Sequence, residues 1–341
     1  MSANLSVKSY ERNVTSAEGL FAHSPFSIVT MVARFKGDVS EAMLREAVVK
    51  VQQRHALLRV RLKVDSDHAL WFTSDGVEEI PVEVVPRQSA NDWITIHSEA
   101  SEIPFEFEKR PAIRFILVQS AAESDLIILS HHIICDGLSL AYLARDLMVH
   151  LGDPSQEAAV LPPAPPISLE NLPADVSQSR LRKIMINRIN RKWAADRVFF
   201  DQEDYEVLTK TYWDNYSHEL LTVELTEVET SSLVARCRDA KITVNSAITA
   251  AFSGGQRYVQ GEEPHLARTV IATSLRDPLP KPPGEGMGFY AAGVEMNLKY
   301  DHNAGFWQNA QRYHKKIKPN FTNKKVFGQF VDWLYLEPSL L

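Results

Sequence analysis

The sequence contains few cysteines and no arrangement of ligands that favours a metal. Its only two cysteines, Cys135 and Cys237, are far apart, and neither lies in a CxxC pair or at the spacing of a His/Cys metal site. Secreted proteins that depend on disulfides use more cysteines at regular spacings. We therefore expect no disulfide framework, no metal ion and a reducing compartment.

The sequence also lacks a long apolar run and an excess of positive charge. Residues 1–16 have neither the basic start nor the apolar stretch of a secretory signal, and no later run reaches the length of a membrane span. Lys and Arg number 37 against 43 Asp and Glu, which gives a formal net charge of -6. An anionic ligand would therefore need a local basic cluster. We expect a cytoplasmic protein with no integral membrane segment and no nucleic-acid partner.

The length and the distribution of proline indicate two lobes. The chain has 341 residues, of which 45% are hydrophobic, enough for one large core or two ordinary ones. Six prolines lie between Pro154 and Pro173, a density that prevents regular helix and favours stiff, extended backbone. We place the N-terminal lobe at residues 1–153, a proline-rich crossover at 154–178 and the C-terminal lobe at 179–341.

Three segments of the predicted C-terminal lobe have recognisable patterns. Leu220–Leu225 and His265–Leu275 are each predicted to form a strand. Ser179–Trp193 has six basic residues, no acidic one and interleaved apolar residues, which predicts a basic amphipathic helix. Such a helix either presents a solvated face beside the crossover or contacts an acidic carrier protein, CoA phosphates or an anionic membrane surface.

The stretch that most clearly indicates a catalytic site is His131–Gly137, which follows the apolar run Leu126–Leu129. Adjacent residues of a strand point to opposite faces, so one histidine faces a cleft while the other packs behind it, and we expect His132 to face the substrate. A neutral imidazole accepts a proton near physiological pH, which suits a general base. The alternative is a histidine packed or hydrogen-bonded in the core, without catalytic function.

The letters HHIICDG resemble the HHxxxDG signature of the condensation-domain and CoA-dependent acyltransferase superfamily. RHALLRVRL, from Arg54, is similar to the RHxxLR stretch that members carry after their first helix. LRDPLPKPP, from Leu275, resembles a region of polyketide-associated acyltransferases whose arginine pairs with the motif aspartate. This resemblance implies a pair between Arg276 and Asp136. The absence of a YxDYAVW motif makes the chain most similar to stand-alone polyketide-associated or alcohol acyltransferases.

The resemblance implies an α/β fold of two lobes, similar to chloramphenicol acetyltransferase, with mixed sheets flanked by helices and a tunnel between the lobes. It implies acyl transfer from a thioester, on CoA or on the phosphopantetheinyl arm of a carrier protein, to a small-molecule hydroxyl or amine. No tightly bound cofactor is expected. The implied roles are His132 as general base, His131 as its support, Asp136 as a structural carboxylate, Gly137 as a residue with an unusual backbone dihedral, and Ser139 as an oxyanion or substrate contact.

One departure from the superfamily leaves other functions open. After the predicted helix Phe306–Lys318 the family has further strands and a DFGWG-type motif, which this sequence does not contain. We therefore expect an incomplete second lobe, in a chain that is naturally short, truncated or completed by another chain. Its open edge would favour a homodimer or instability. The alternatives to acyl transfer are a catalytically inactive binding protein and another reaction on the same scaffold, such as epimerisation, cyclisation or dehydration.

Overall fold

The N-terminal part of the molecule is built around the strand that ends in the two adjacent histidines. The computed structural model describes residues 9–260 and 268–337. Its N-terminal elements are β1 (Glu11–Asn13), α1 (Ser16–Gly19), β2 (Ile28–Lys36), α2 (Glu41–Arg54), β3 (Arg61–Val64), β4 (Leu70–Thr73), β5 (Val82–Pro86), α3 (Asp92–Ser101), β6 (Ile113–Gln119), β7 (Glu123–His131) and α4 (Gly137–Gly152).

Strand β7 is an inner strand of a four-stranded sheet with the order β2-β7-β6-β5. It runs antiparallel to β2 and β6, whereas β5 is parallel to β6. Leu126–Leu129 is fully buried, and a continuous apolar run of this kind is typical of a strand covered on both faces. The register places Ile28 opposite His131, so the motif lies at one end of the sheet. A second, antiparallel sheet has the order β1-β4-β3.

The proline-rich segment leads from α4 to the C-terminal elements and contains only a short 3-10 turn at Leu169–Asn171.

No helix in the described residues is long and apolar enough to cross a membrane. The C-terminal elements are α5 (Arg180–Ala195), α6 (Gln202–Asn215), α7 (Glu227–Asp239), α8 (Val244–Gln260), β8 (Arg268–Ser274), β9 (Ala291–Asn297), α9 (Phe306–Ile317), α10 (Asn323–Val326) and α11 (Gly328–Trp333).

The C-terminal part has less sheet than the sequence predicts. The predicted basic helix is present as α5, and the strand predicted from His265 is present as β8, although residues 265–267 lie outside the described part of the chain. The prediction of a strand at Leu220–Leu225 is wrong, because this segment pairs with no strand of the described residues. The side chains of Leu221 and Val223 are 83% and 84% exposed. A strand requires a neighbouring ladder for its backbone groups, and none of the three described sheets includes this segment.

Candidate active site

His131 is the histidine that packs behind the motif. Its ring is fully buried against Phe105 and Phe107, with centroid separations of 5.9 and 5.0 Å. Nε2 lies 3.2 Å from the carbonyl oxygen of Ser24, to which it donates, and Nδ1 accepts from the Ile133 amide at 3.3 Å. Both ring nitrogens are therefore occupied by backbone groups. Burial lowers the pKa of His131 to about 3, so the ring is neutral at physiological pH.

His132 has the opposite environment, with one ring nitrogen held and the other free. Nδ1 lies 3.1 Å from the carbonyl oxygen of Cys135, which makes Nδ1 the protonated nitrogen. Within the described part of the chain Nε2 has no hydrogen-bond partner, and the residue is only half-buried. Burial lowers the pKa of His132 below its ordinary value, against the opposing effect of the Cys135 carbonyl. The ring is therefore a neutral imidazole with an available lone pair on Nε2.

Two aromatic rings flank His132. Phe21 lies 5.1 Å from it and Phe289 lies 5.3 Å from it, measured between ring centroids, and the two phenylalanines contact each other at 4.5 Å. Phe21 follows α1 in the N-terminal part of the chain, whereas Phe289 lies on the loop between β8 and β9. The position of the His132 ring therefore depends on both halves of the molecule.

Asp136 is the N-cap of α4 and is almost completely buried. Its Oδ1 accepts from the backbone amide of Ser139 at 2.7 Å, and its Oδ2 accepts from the amide of Tyr290 at 3.0 Å. An N-cap carboxylate satisfies an unpaired amide of the first helical turn. Through its bond to Tyr290, Asp136 also connects the start of α4 to the loop between β8 and β9. Asp136 therefore has a structural position and does not face a cleft.

Arg276 is the cationic partner of Asp136, as the family resemblance implies. Its Nη2 lies 3.1 Å from Asp136 Oδ1, and both residues are at most 3% exposed. Nη1 donates to the carbonyl oxygens of Gly284 and Gly286, each at 2.9 Å. The guanidinium also lies over the ring of Tyr290, 4.7 Å from its centroid. Arg276 therefore joins the loop between β8 and β9 to the start of α4.

The expected roles of Ser139 and Gly137 need correction. Ser139 is fully buried, and its hydroxyl lies 2.8 Å from Asp136 Oδ1, 2.9 Å from the Gly288 carbonyl oxygen and 2.8 Å from Arg276 Nη2. A hydroxyl with its bonds used in this way does not face a substrate oxygen. Gly137 is the first residue of α4, and it has no positive φ that would exclude a side chain.

A cavity of about 930 Å³ lies close to the motif. Its walls include Leu20, His23 and Ser24, from the same segment that contributes Phe21. This segment touches both motif histidines, because the Ser24 carbonyl accepts from His131 and the Phe21 ring contacts His132. His132 itself does not line the cavity. The cavity and the motif therefore share the segment that contains Leu20, Phe21, His23 and Ser24.

Comparison with known protein families supports the resemblance found in the sequence. The family model described as "Condensation domain" matches residues 11–160. This segment contains the whole of the predicted N-terminal lobe from β1 onward, including the motif and the helix that follows it. The resemblance to the condensation-domain superfamily is therefore confirmed.

One curated relative is a linear gramicidin synthase from Brevibacillus parabrevis. It is 30% identical over 122 residues, which are 33% of this chain and 2% of the synthase. A second is a polyketide synthase-nonribosomal peptide synthetase from Aspergillus clavatus, 28% identical over 179 residues, which are 51% of this chain and 4% of that protein. The chain thus matches only a small fraction of the length of these relatives.

Solved structures show the condensation-domain fold over nearly the whole chain. Polyketide synthase associated protein 5 from Mycobacterium tuberculosis has a TM-score of 0.59 at 17% identity, covering 96% of this chain and 74% of that one. The epimerization domain of tyrocidine synthetase B, TycB3(E), has a TM-score of 0.60 at 14% identity, covering 98% and 77%. The mixed α/β fold with sheets flanked by helices is therefore confirmed.

Sequence reasoning identified His131, His132, Asp136 and Arg276, but it missed the two rings that flank His132. Phe289 lies within the stretch GFYAAG, whose only signal is a partial resemblance to the GxFxNT pattern of condensation domains. Phe21 carries no motif at all. Its contact with His132 arises because Ile28 and His131 are paired across β2 and β7, which brings the segment before β2 to the end of the sheet.

Proposed function

We propose that this protein is an acyltransferase, in which an acyl group moves from a thioester to a hydroxyl or amine acceptor. One observation carries the proposal. Nδ1 of His132 is held by the Cys135 carbonyl, while Nε2 of the same half-buried ring is free of hydrogen bonds to the described residues. A fixed tautomer with one available nitrogen is the arrangement that general-base catalysis requires.

In the proposed mechanism the acceptor places its O–H or N–H against Nε2 of His132. Nε2 takes the proton as the acceptor attacks the thioester carbonyl, and a tetrahedral intermediate forms. The intermediate collapses, the carbon–sulfur bond breaks, and the leaving thiolate takes the proton from Nε2. The acyl group ends on the acceptor and the imidazole is again neutral. General-base catalysis contributes about 10²–10⁴ in rate.

The remaining motif residues support this base without touching the reactants. The pair of Asp136 and Arg276 fixes the start of α4, and Cys135, which holds Nδ1 of His132, precedes Asp136 directly. His131 fills the space behind β7 as a neutral ring. The donor is acyl-CoA or an acyl group on a phosphopantetheinyl carrier protein, and the acceptor is a small molecule.

The test measures the rate at which free thiol is released from a series of acyl-CoA donors and from acyl-pantetheine. Each donor is supplied with a mixture of acceptor alcohols and amines. His132→Ala should lower kcat by about 10²–10⁴, because the base is lost. His302→Ala is the matched control, since His302 is exposed in the segment between β9 and α9. Wild-type kcat should be constant through neutral pH and fall as pH drops through the His132 pKa, which lies below 6.5. Full activity of His132→Ala would reject the mechanism.

A second candidate is another reaction on the same fold, because one of the similar structures is an epimerization domain. With a carrier-bound substrate, mass spectrometry would then show no transfer of the acyl group, and chiral analysis would show an inverted centre. Binding of acyl thioesters without any turnover would instead favour an inactive binding protein.

A further inference from the structure

A second group of charges joins the two halves of the molecule near the Arg276 pair. Glu285 lies on the loop between β8 and β9. Its carboxylate accepts hydrogen bonds from Nη1 and Nη2 of Arg145 at 2.6 and 2.7 Å. Nη2 of Arg54 reaches the same carboxylate at 2.9 Å. Arg54 is fixed in turn by Asp146, with Nε lying 2.7 Å from Oδ2. Arg145 and Asp146 are on α4 and Arg54 ends α2, so one carboxylate of the C-terminal loop is bound by two helices of the N-terminal part.

The backbone on either side of Glu285 is held as well. The carbonyl oxygens of Gly284 and Gly286 both accept from Arg276. Gly284 has a φ of +58°, and a Cβ on Gly286 would come within 2.7 Å of the Cβ of Ala164 in the crossover. The left-handed backbone favours glycine at position 284, and the contact with Ala164 leaves no room for a Cβ at position 286. The loop is therefore clamped by Arg276 through its backbone and by Arg54 and Arg145 through the Glu285 side chain.

Further along the same loop, Phe289 contacts the ring of His132. Phe289 also contacts Phe21 at 4.5 Å and Phe330 of α11 at 5.7 Å, so its ring is packed on several sides. A displacement of the clamped loop would be transmitted to this ring and from it to the imidazole. Positional errors of about 1 Å at a reacting group can cost about 10²-fold in rate.

We propose that Glu285 is a positioning residue: its ion pairs with Arg54 and Arg145 hold the loop so that Phe289 orients His132. The inference rests on the proposed function for its effect on catalysis, although the effect on the His132 ring is independent of any reaction. Glu285 touches no reacting atom in this proposal. It acts through the loop whose path the three arginines keep in place.

The experiment compares Glu285→Gln with Glu295→Gln in the full chain. Glu295 is the matched control, because it also forms a two-bond pair with an arginine, Arg268, at 2.8 and 2.6 Å, and its side chain is 40% exposed against 39% for Glu285. Each variant is measured by thermal unfolding, by kcat and KM for thiol release, and by NMR titration of the histidine ring signals. The His132→Ala spectrum assigns the His132 signals.

We expect Glu285→Gln to shift the His132 ring signals and their titration midpoint, whereas Glu295→Gln leaves them unchanged. kcat should fall by about tenfold or more with a KM within about twofold of wild type, since orientation of the base affects the chemical step and not binding. Glu285→Asp, which keeps the charge, should recover part of kcat. A structural role alone would change the melting temperature without changing the His132 signals.

Two outcomes would overturn the inference. In the first, the His132 signals of Glu285→Gln coincide with those of Glu295→Gln. In the second, Glu285→Gln does not fold and the replacement variant Arg145→Lys has the same His132 signals as wild type. Arg145→Lys keeps the charge but loses the two-bond geometry with Glu285. The positioning role and the proposed function can fail separately. If wild type transfers no acyl group but Glu285→Gln shifts the His132 signals, the positioning role is supported and the proposed function is rejected.

Discussion

Removal of the Arg276 guanidinium is the change that most directly tests how the two halves are held together. Arg276→Met keeps much of the side-chain length but leaves Asp136, which is 2% exposed, as a buried carboxylate without a counter-charge. The carbonyl oxygens of Gly284 and Gly286 lose their donor in the same variant. Breaking a buried ion pair by removing one partner costs about 3–5 kcal/mol in the free energy of unfolding.

The control is Arg312→Met, which removes an arginine from an exposed pair. Arg312 and Asp301 lie 2.8 Å apart with side chains 46% and 40% exposed. Exposed pairs of this kind contribute about 0–1 kcal/mol. The comparison between the two methionine variants therefore separates the effect of burial from the loss of an arginine as such.

The assay is urea unfolding followed by tryptophan fluorescence. If the denaturant dependence is about 3 kcal/mol per M, a loss of about 4 kcal/mol lowers the urea midpoint of Arg276→Met by about 1.3 M, against at most about 0.3 M for the control. The deficit of Arg276→Met should persist at a salt concentration of about 1 M, because buried charges are little screened. A midpoint for Arg276→Met equal to that of Arg312→Met would refute the reasoning.

Two further predictions concern buried polar groups of the motif. The folded-state pKa of His131 is about 3, below its ordinary value of 6.5, so the unfolded chain alone gains this proton as pH falls below 6.5. His131 alone should therefore lower stability by roughly 1 kcal/mol per pH unit from pH 6.5 towards pH 3, and urea midpoints should show a weaker decline in His131→Gln. Ser139→Ala should destabilise the fold by about 1–3 kcal/mol, because Asp136 and Arg276 lose a buried partner, with kcat close to wild type. A drop of about 10²-fold or more in kcat at unchanged stability would instead restore an oxyanion role for Ser139.

Patterns that depend on neighbouring residues were read correctly from the sequence. Strand alternation predicted that His131 and His132 face opposite sides, and the structure has His131 buried and His132 half-buried. However, β7 ends at His131, so the turn that follows the strand sets the direction of His132. The absence of acidic residues between Ser179 and Trp193, with apolar residues at helical intervals, predicted α5. The helix prediction needs no distant contact, because it follows from the backbone geometry of a single element.

Patterns that depend on distant partners were read less well. Leu220–Leu225 has the composition of a strand, but strand formation requires a partner ladder, and the described sheets provide none for it. The hydroxyl of Ser139 follows the motif closely enough to suggest a substrate contact. Its burial against Gly288 comes from a loop far along the chain.

The amino-acid sequence by itself determined the motif, the strand that presents it and the resemblance that implied the pair of Arg276 and Asp136. Only the tertiary structure decided which nitrogen of His132 is free, which rings flank it, and that Ser139 belongs to the buried network. The physical reason is that a hydrogen bond or a ring contact is fixed by atoms within a few ångströms, and here those atoms come from elements that the chain connects only through the folded sheet and the loop between β8 and β9.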